Sequence, residues 1–186
     1  MVEGPRRLVV TGGPGSGKTS LAALLAVRLA IPHIELDGLY HGPNWTPTDP
    51  EAFRASVSAL TAGPAWIVDG NYRSKLGDLV LARTDLVIAL DLPRPVVLVR
   101  LLRRTLVRMA RRTELWNGNR EEWRNLVSTD ESRNLLLWAH RHFGRYRARA
   151  IAVERASAVG GPAAVRLTSP AQVDRFVEHL MRLAGR

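Results

Sequence analysis

Five short apolar runs punctuate the chain and read as strands: Leu8–Val10, His33–Leu36, Ala65–Val68, Leu86–Leu90 and Ala164–Leu167. Between and after them lie stretches that read as helices: Lys18–Ala30, Pro50–Ala62, a segment from Pro95 onward, Ser132–Arg149, and Pro170–Leu183 after Thr168-Ser169. The start at Asp49-Pro50-Glu51 combines a capping side chain, a proline in the first turn and an acid at the helix's positive end. Strands alternating with helices predict an α/β fold, a parallel sheet with helices on both faces. Ligands in such sheets bind at the carboxyl ends of the strands, so the residues just after each strand matter most. Here those are the loop at 11–20, Asp37 and Asp69.

The loop fits G-x-x-x-x-G-K-[ST] from Gly12 through Gly13, Pro14, Gly15, Ser16 and Gly17 to Lys18 and Thr19, with Ser20 next. Glycines permit positive φ angles and close backbone approach, so successive N–H groups point inward at anionic oxygens. The helix that begins near Gly17 adds its unpaired N–H groups and positive dipole end. Lys18 can place an ammonium on the β and γ phosphates, and the Thr19 hydroxyl can bind Mg²⁺. Of 27 basic residues 25 are arginine, so a lysine at 18 departs from the chain's own habit and marks a need for a point charge.

A length of 186 residues with 46% apolar content suits a single domain, 1–186. With no cysteine there is no disulfide and no thiolate metal site, which favours a reducing compartment. The opening MVEGPRR has no apolar leader, and no apolar run approaches a bilayer's width, so a cytoplasmic protein without a membrane partner is expected. The five histidines, 33, 41, 140, 142 and 179, lack metal-site spacing, and no transition metal is expected.

Two strand-end aspartates compete for a role beside the loop. Asp69 ends the run Trp66-Ile67-Val68, and Asp91 ends the longer run Leu86-Val87-Ile88-Ala89-Leu90; apolar pattern alone favours Asp91. Either could hold Mg²⁺ through water, and either could simply cap the following turn. In small P-loop kinases, which the loop at 12–19 resembles, an aspartate after the second strand faces the acceptor side; that resemblance implies that Asp37 orients a hydroxyl or takes its proton, with a ribose hydrogen bond or a cap on the Gly38 turn as the alternatives. A phosphate acceptor is already ionised and needs no base, so Asp37 favours a hydroxyl acceptor.

The phosphate loop, the Val68-Asp69-Gly70 stretch with Arg73 three residues on, and an arginine-rich segment before the last strand resemble the adenylate kinase and nucleoside monophosphate kinase group of P-loop kinases. Three stretches are more closely similar to the bacterial adenylate-kinase-like proteins called topology modulation proteins. They are Pro32-His33-Ile34-Glu35-Leu36-Asp37, Asp69-Gly70-Asn71-Tyr72 and Glu114-Leu115-Trp116-Asn117-Gly118-Asn119-Arg120-Glu121. The resemblance, from about Arg7 to Arg149, implies a three-layer P-loop fold with strand order 2-3-1-4-5 and Asp69, rather than Asp91, beside the loop. It also implies an acceptor-binding helical region at about 37–64, an arginine-rich lid at about 104–128, and ATP with Mg²⁺. Asn71-Tyr72 replaces the Phe-Pro usual in adenylate kinases, so transfer from ATP is better supported than AMP as acceptor.

Charge is segregated: residues 1–93 sum to −1, 94–150 to +9 and 151–186 to +2. Phosphoryl transfer spreads charge over equatorial oxygens, and an arginine supplied in cis can stabilise it. Arg108, Arg111, Arg112 and Arg120 flank the expected lid and are candidates for that role, with Arg73 and Asp37 facing the acceptor. A nucleic-acid surface is a second reading of the same excess, with Trp116 and Trp123 able to stack on bases or to sit in the core. Trp138 is expected in the core. The reading is an ATP- and Mg²⁺-dependent phosphotransferase acting on a nucleotide or hydroxyl compound; a nucleotide-dependent DNA- or RNA-binding protein and a plain NTPase are the alternatives.

Overall fold

The computed structural model describes residues 4–131 and 134–185. Its centre is a five-stranded parallel sheet built from β1 (Arg7–Gly12), β2 (His33–Glu35), β3 (Trp66–Asp69), β4 (Leu86–Leu90) and β5 (Ala163–Leu167), in the order β2-β3-β1-β4-β5. Every strand is followed by a helix, and parallel neighbours demand such crossovers. The larger helices are α1 (Lys18–Leu29), α3 (Pro50–Leu60), α5 (Arg94–Ala110), α7 (Leu135–Ala158) and α8 (Pro170–Leu183); short turns of helix add α2 (Leu36–Tyr40), α4 (Arg73–Leu76) and α6 (Trp123–Leu126). The expected start of a helix at Ser132 lies outside the described residues, and α7 continues past Arg149 to Ala158.

Alternation along each strand divides the core in two. Leu8, Val10, Ile67, Ile88 and Leu90 point to one face and pack with Leu21 and Leu25 of α1 and Val177, Leu180 and Met181 of α8. Val9, Trp66, Val68 and Val87 point to the other, against Phe53 and Val57 of α3 and Leu76 of α4. Both faces are therefore covered, which is why the strands read as continuous apolar runs rather than as alternating ones. Helix starts follow their caps. Asp49 accepts from Glu51 N at 3.0 Å and Ala52 N at 2.9 Å ahead of Pro50, as its sequence suggests, while Asn134 and Ser169 cap α7 and α8.

Candidate active site

The phosphate loop leaves β1 at Gly12 and enters α1 at Lys18, at the carboxyl end of the central strand. Gly15 and Gly17 have φ of +81° and +91°, values that glycine adopts freely. Space gives Gly15 a second reason, because a Cβ there would lie 2.4 Å from the Val97 carbonyl oxygen and 2.8 Å from Leu101 Cβ of α5. Gly17, as N-cap, offers no side-chain acceptor to the first N–H groups of α1, which leaves them to an anion. Asn71 fixes the base of the loop: its Nδ2 donates to Gly12 O at 2.6 Å, and its Oδ1 accepts from Thr11 Oγ1 at 2.5 Å.

The strand register sets Asp69 opposite Val10, next to the loop. Thr19 Oγ1 donates to Asp69 Oδ2 at 2.5 Å, and Asp69 is only 1% exposed. Its Oδ1 lies 3.1 Å from His33 Nε2, a hydrogen bond that raises the His33 pKa in spite of partial burial. The rival Asp91 is occupied otherwise, with Oδ2 2.9 Å from Arg166 Nη1 and 4.0 Å from Arg147 Nε. A hydroxyl and a carboxylate brought together beside the loop are hard oxygen donors, and that donor set fits Mg²⁺.

Beyond the carboxyl end of β2, Tyr72 Oη donates to Asp37 Oδ1 at 2.7 Å. Burial and the Asp37 charge push the Tyr72 pKa far above the ordinary phenol range, so Tyr72 remains a donor at any physiological pH. His41 Nε2 lies 3.4 Å from the same hydroxyl, and burial lowers its pKa against the pull of Asp37. Glu35 Oε2 accepts from Trp116 Nε1 at 2.8 Å. Asp37 and Glu35 thus each accept a hydrogen bond from a neutral donor.

The basic residues are distributed less simply. Arg108 Nη1 lies 3.1 Å from Glu121 Oε1, and Arg120 Nη2 lies 3.4 Å from Glu114 Oε2 at the surface. Arg73, at the start of α4, is 68% exposed and paired with Asp78 at 3.1 Å. Arg111 and Arg112 are exposed at the end of α5. The structure adds Arg100, Arg104 and Arg149, which sequence reasoning passed over, to Arg108, which it had named. Arg100, Arg104 and Arg108 recur every four residues and share one side of α5. Arg100 Nη1 stands 3.8 Å from where a Gly17 Cβ would be, and Arg104 is coupled electrostatically to Glu121, Asp37 and Glu35. Burial and the neighbouring Arg108 lower the Arg104 pKa, and its Nε has no hydrogen-bond partner among the described residues. Arg149 of α7 lines a small cleft with Thr11, Gly12, Asn71 and Tyr146. Trp138 is half-buried rather than deep in the core: it stacks on His142 with centroids 3.8 Å apart and donates to Tyr146 Oη at 3.3 Å. The Tyr146 ring packs on Gly13 in turn.

No protein-family model and no curated protein matches the chain. Among solved structures, it is similar to a shikimate kinase from Bacteroides thetaiotaomicron, with a TM-score of 0.52 and 17% identity over 98% of this chain and 99% of that one. A gluconokinase from Sinorhizobium meliloti 1021 aligns with a TM-score of 0.49 and 19% identity over 99% of this chain and 94% of that one. The sheet order and the first of these likenesses show the fold: a five-stranded parallel α/β sheet of order β2-β3-β1-β4-β5, shared with that shikimate kinase.

Proposed function

We propose that the protein is an ATP- and Mg²⁺-dependent phosphotransferase whose acceptor is a small hydroxyl compound. The observation that carries the reading is the pairing of Thr19 with Asp69 at 2.5 Å beside a glycine-built anion cradle. In this reading Lys18 and the loop N–H groups of residues 12–20 hold the phosphates. Thr19 and Asp69 would hold Mg²⁺ there, and the ion would supply positive charge to the phosphates. Asp37, oriented by Tyr72, positions the acceptor hydroxyl and takes its proton as the oxygen bonds to the γ phosphorus and the bond to the β-phosphate oxygen breaks. ADP leaves with that electron pair. Arg100 and Arg104, with Arg108 behind them, supply positive charge to the transferring group.

The stretches that resemble topology modulation proteins support one shared site. The three stretches lie far apart in sequence, but Tyr72 bonds to Asp37, Trp116 to Glu35 and Asn117 to Gly38 at the acceptor end of the sheet, while Asn71 braces the phosphate loop beside them. The solved-structure neighbour bears the name of a kinase for a hydroxylated acid, which agrees with Asp37 as a group that handles a hydroxyl. The segment at about 104–128 acts as a lid. Incubation with γ-labelled ATP and a panel of sugars, hydroxy acids and nucleoside monophosphates, read by mass spectrometry, tests the reading. Label is expected on a hydroxyl compound and to be abolished in a folded Lys18→Ala variant. Label on nucleoside monophosphates alone would overturn the hydroxyl assignment, and hydrolysis alone would support the plain NTPase.

A further inference from the structure

Two five-residue turns face each other at the acceptor end of the sheet, one at 42–46 and one at 115–119. In the first, Gly42 N donates to Thr46 O at 2.7 Å and Thr46 N to Pro43 O at 3.2 Å; in the second, Leu115 N donates to Asn119 O at 2.7 Å and Asn119 N to Trp116 O at 3.2 Å. The third residue of each is an asparagine with φ of +56°, Asn44 and Asn117. The fourth is Gly118 in one turn, at φ +79°, and Trp45 in the other, at φ +59°, a conformation that bulky L residues rarely adopt.

Bonds between the turns explain why Trp45 stays there. Its N–H donates to Asn119 Oδ1 at 2.8 Å, while Asn119 Nδ2 donates to Gly42 O at 2.9 Å and to its own turn at Trp116 O at 2.8 Å. Asn119 is 4% exposed and spends its amide on this crossing. Asn117 Nδ2 adds bonds to His41 O at 2.5 Å and Gly38 O at 3.4 Å, and Trp116 reaches Glu35. The Trp45 and Trp116 rings meet edge to face, with centroids 6.3 Å apart, and both contact His41. The arginine-rich segment is therefore stitched to the loop that follows Asp37.

We propose that this clasp makes the arginine-rich segment and the acceptor loop one moving unit, with Asn119 as its positioning residue. The inference rests on the phosphotransferase reading for its consequence. A segment that responds to nucleotide and a loop that responds to acceptor cannot close separately, so full closure waits for both and hydrolysis by water is restrained. Two free lids would carry no such restraint.

Hydrogen–deuterium exchange on the full chain tests this, with Mg²⁺ and a non-hydrolysable ATP analogue as the probe. In the wild type, residues 38–48 and 113–122 are expected to exchange through a common opening, and to slow by the same factor when the analogue is added. Asn119→Ala should speed exchange at 42–46, on the opposite turn, on the order of tenfold. Asn117→Gly keeps the left-handed turn and deletes only the bonds to Gly38 and His41, so it carries the test should Asn119→Ala fail to fold; severalfold faster exchange at 38–48 is expected. Acceleration confined to the mutated turn would overturn the clasp. Protection at 12–20 with unequal responses of the two turns would overturn the clasp alone, whereas no protection at 12–20 would refute the nucleotide reading and the clasp's consequence together.

Discussion

At Gly15 a single methyl group would meet the Val97 carbonyl at 2.4 Å, and the neighbour is backbone that cannot swing aside. Gly15→Ala is expected to destabilise the protein by about 2–4 kcal/mol, the sum of overpacking and a positive φ. Gly118→Ala, at a similar φ of +79° with open space around it, should cost only about 1–2 kcal/mol. Thermal melts of the two variants check the contrast. Tyr72→Phe removes the donor that orients Asp37, and a fall in kcat of about tenfold with the fold intact is expected from the loss of one charge-assisted hydrogen bond. The loop residues 12–20 were legible because their pattern is local. The choice of Asp69 over Asp91 came from the resemblance alone, because apolar run length favoured Asp91; the pairing of β3 with β1 is what brings Asp69 to Thr19. His33 was missed because its partner is 36 residues away.

Among the elements, α5 carries the sharpest test. Its Arg100, Arg104 and Arg108 share one side, with Arg100 beside Gly17 and Arg104 coupled to Asp37 and Glu35, while Arg103 lies off that row and, like Arg100, is exposed. Arg104→Ala is expected to lower kcat by about 10²–10³-fold, and Arg103→Ala to leave it near wild type, in steady-state assays with ATP. Lid closure makes a separate demand. Alanine at both Arg111 and Arg112 should lower kcat by orders of magnitude if they join the closed state, whereas unchanged turnover with weakened oligonucleotide binding would favour the nucleic-acid surface. Spacing along α5 contained the 100-104-108 row, but choosing it needed the knowledge that Gly15 packs against Val97 and Leu101 of the same helix. The strands and long helices were readable from apolar periodicity. The turns at 42–46 and 115–119 were not, because bonds across more than 70 residues hold them.

At the scale of the whole molecule, an acid ties two neighbouring strands of the sheet together at their starts. Asp85 Oδ2 accepts from Arg7 N at 2.8 Å and Arg6 N at 3.0 Å, and Oδ1 pairs with the Arg7 guanidinium at 2.6 Å, pinning the starts of β4 and β1 together. Burial tends to raise the Asp85 pKa, but these hydrogen bonds outweigh it and hold the carboxyl below its ordinary value. Stability from this group is therefore present above the unfolded carboxylate pKa of about 3.9 and lost as pH falls through the lower folded value. Asp85→Asn should be less stable than wild type at pH 7, with the difference shrinking toward pH 2, in denaturant titrations across that range. Composition predicted one α/β domain and a segregated charge, but it could not show that many of the arginines pair with acids, as Arg108 does with Glu121 and Arg166 with Asp91.

The Mg²⁺ dependence of ATP turnover in Asp69→Asn and Asp91→Asn tests the central claim most directly. In the proposed site Asp69 and Thr19, hydrogen-bonded to each other, hold the metal together, so a neutral amide there keeps the shape and loses the charge. Asp69→Asn is expected to raise the Mg²⁺ concentration for half-maximal turnover by at least about tenfold and to depress the maximum. Asp91→Asn should leave that concentration unchanged and lower stability instead, because Arg166 loses its buried partner. A larger Mg²⁺ shift in Asp91→Asn, or undiminished turnover in Asp69→Asn, would contradict the assignment.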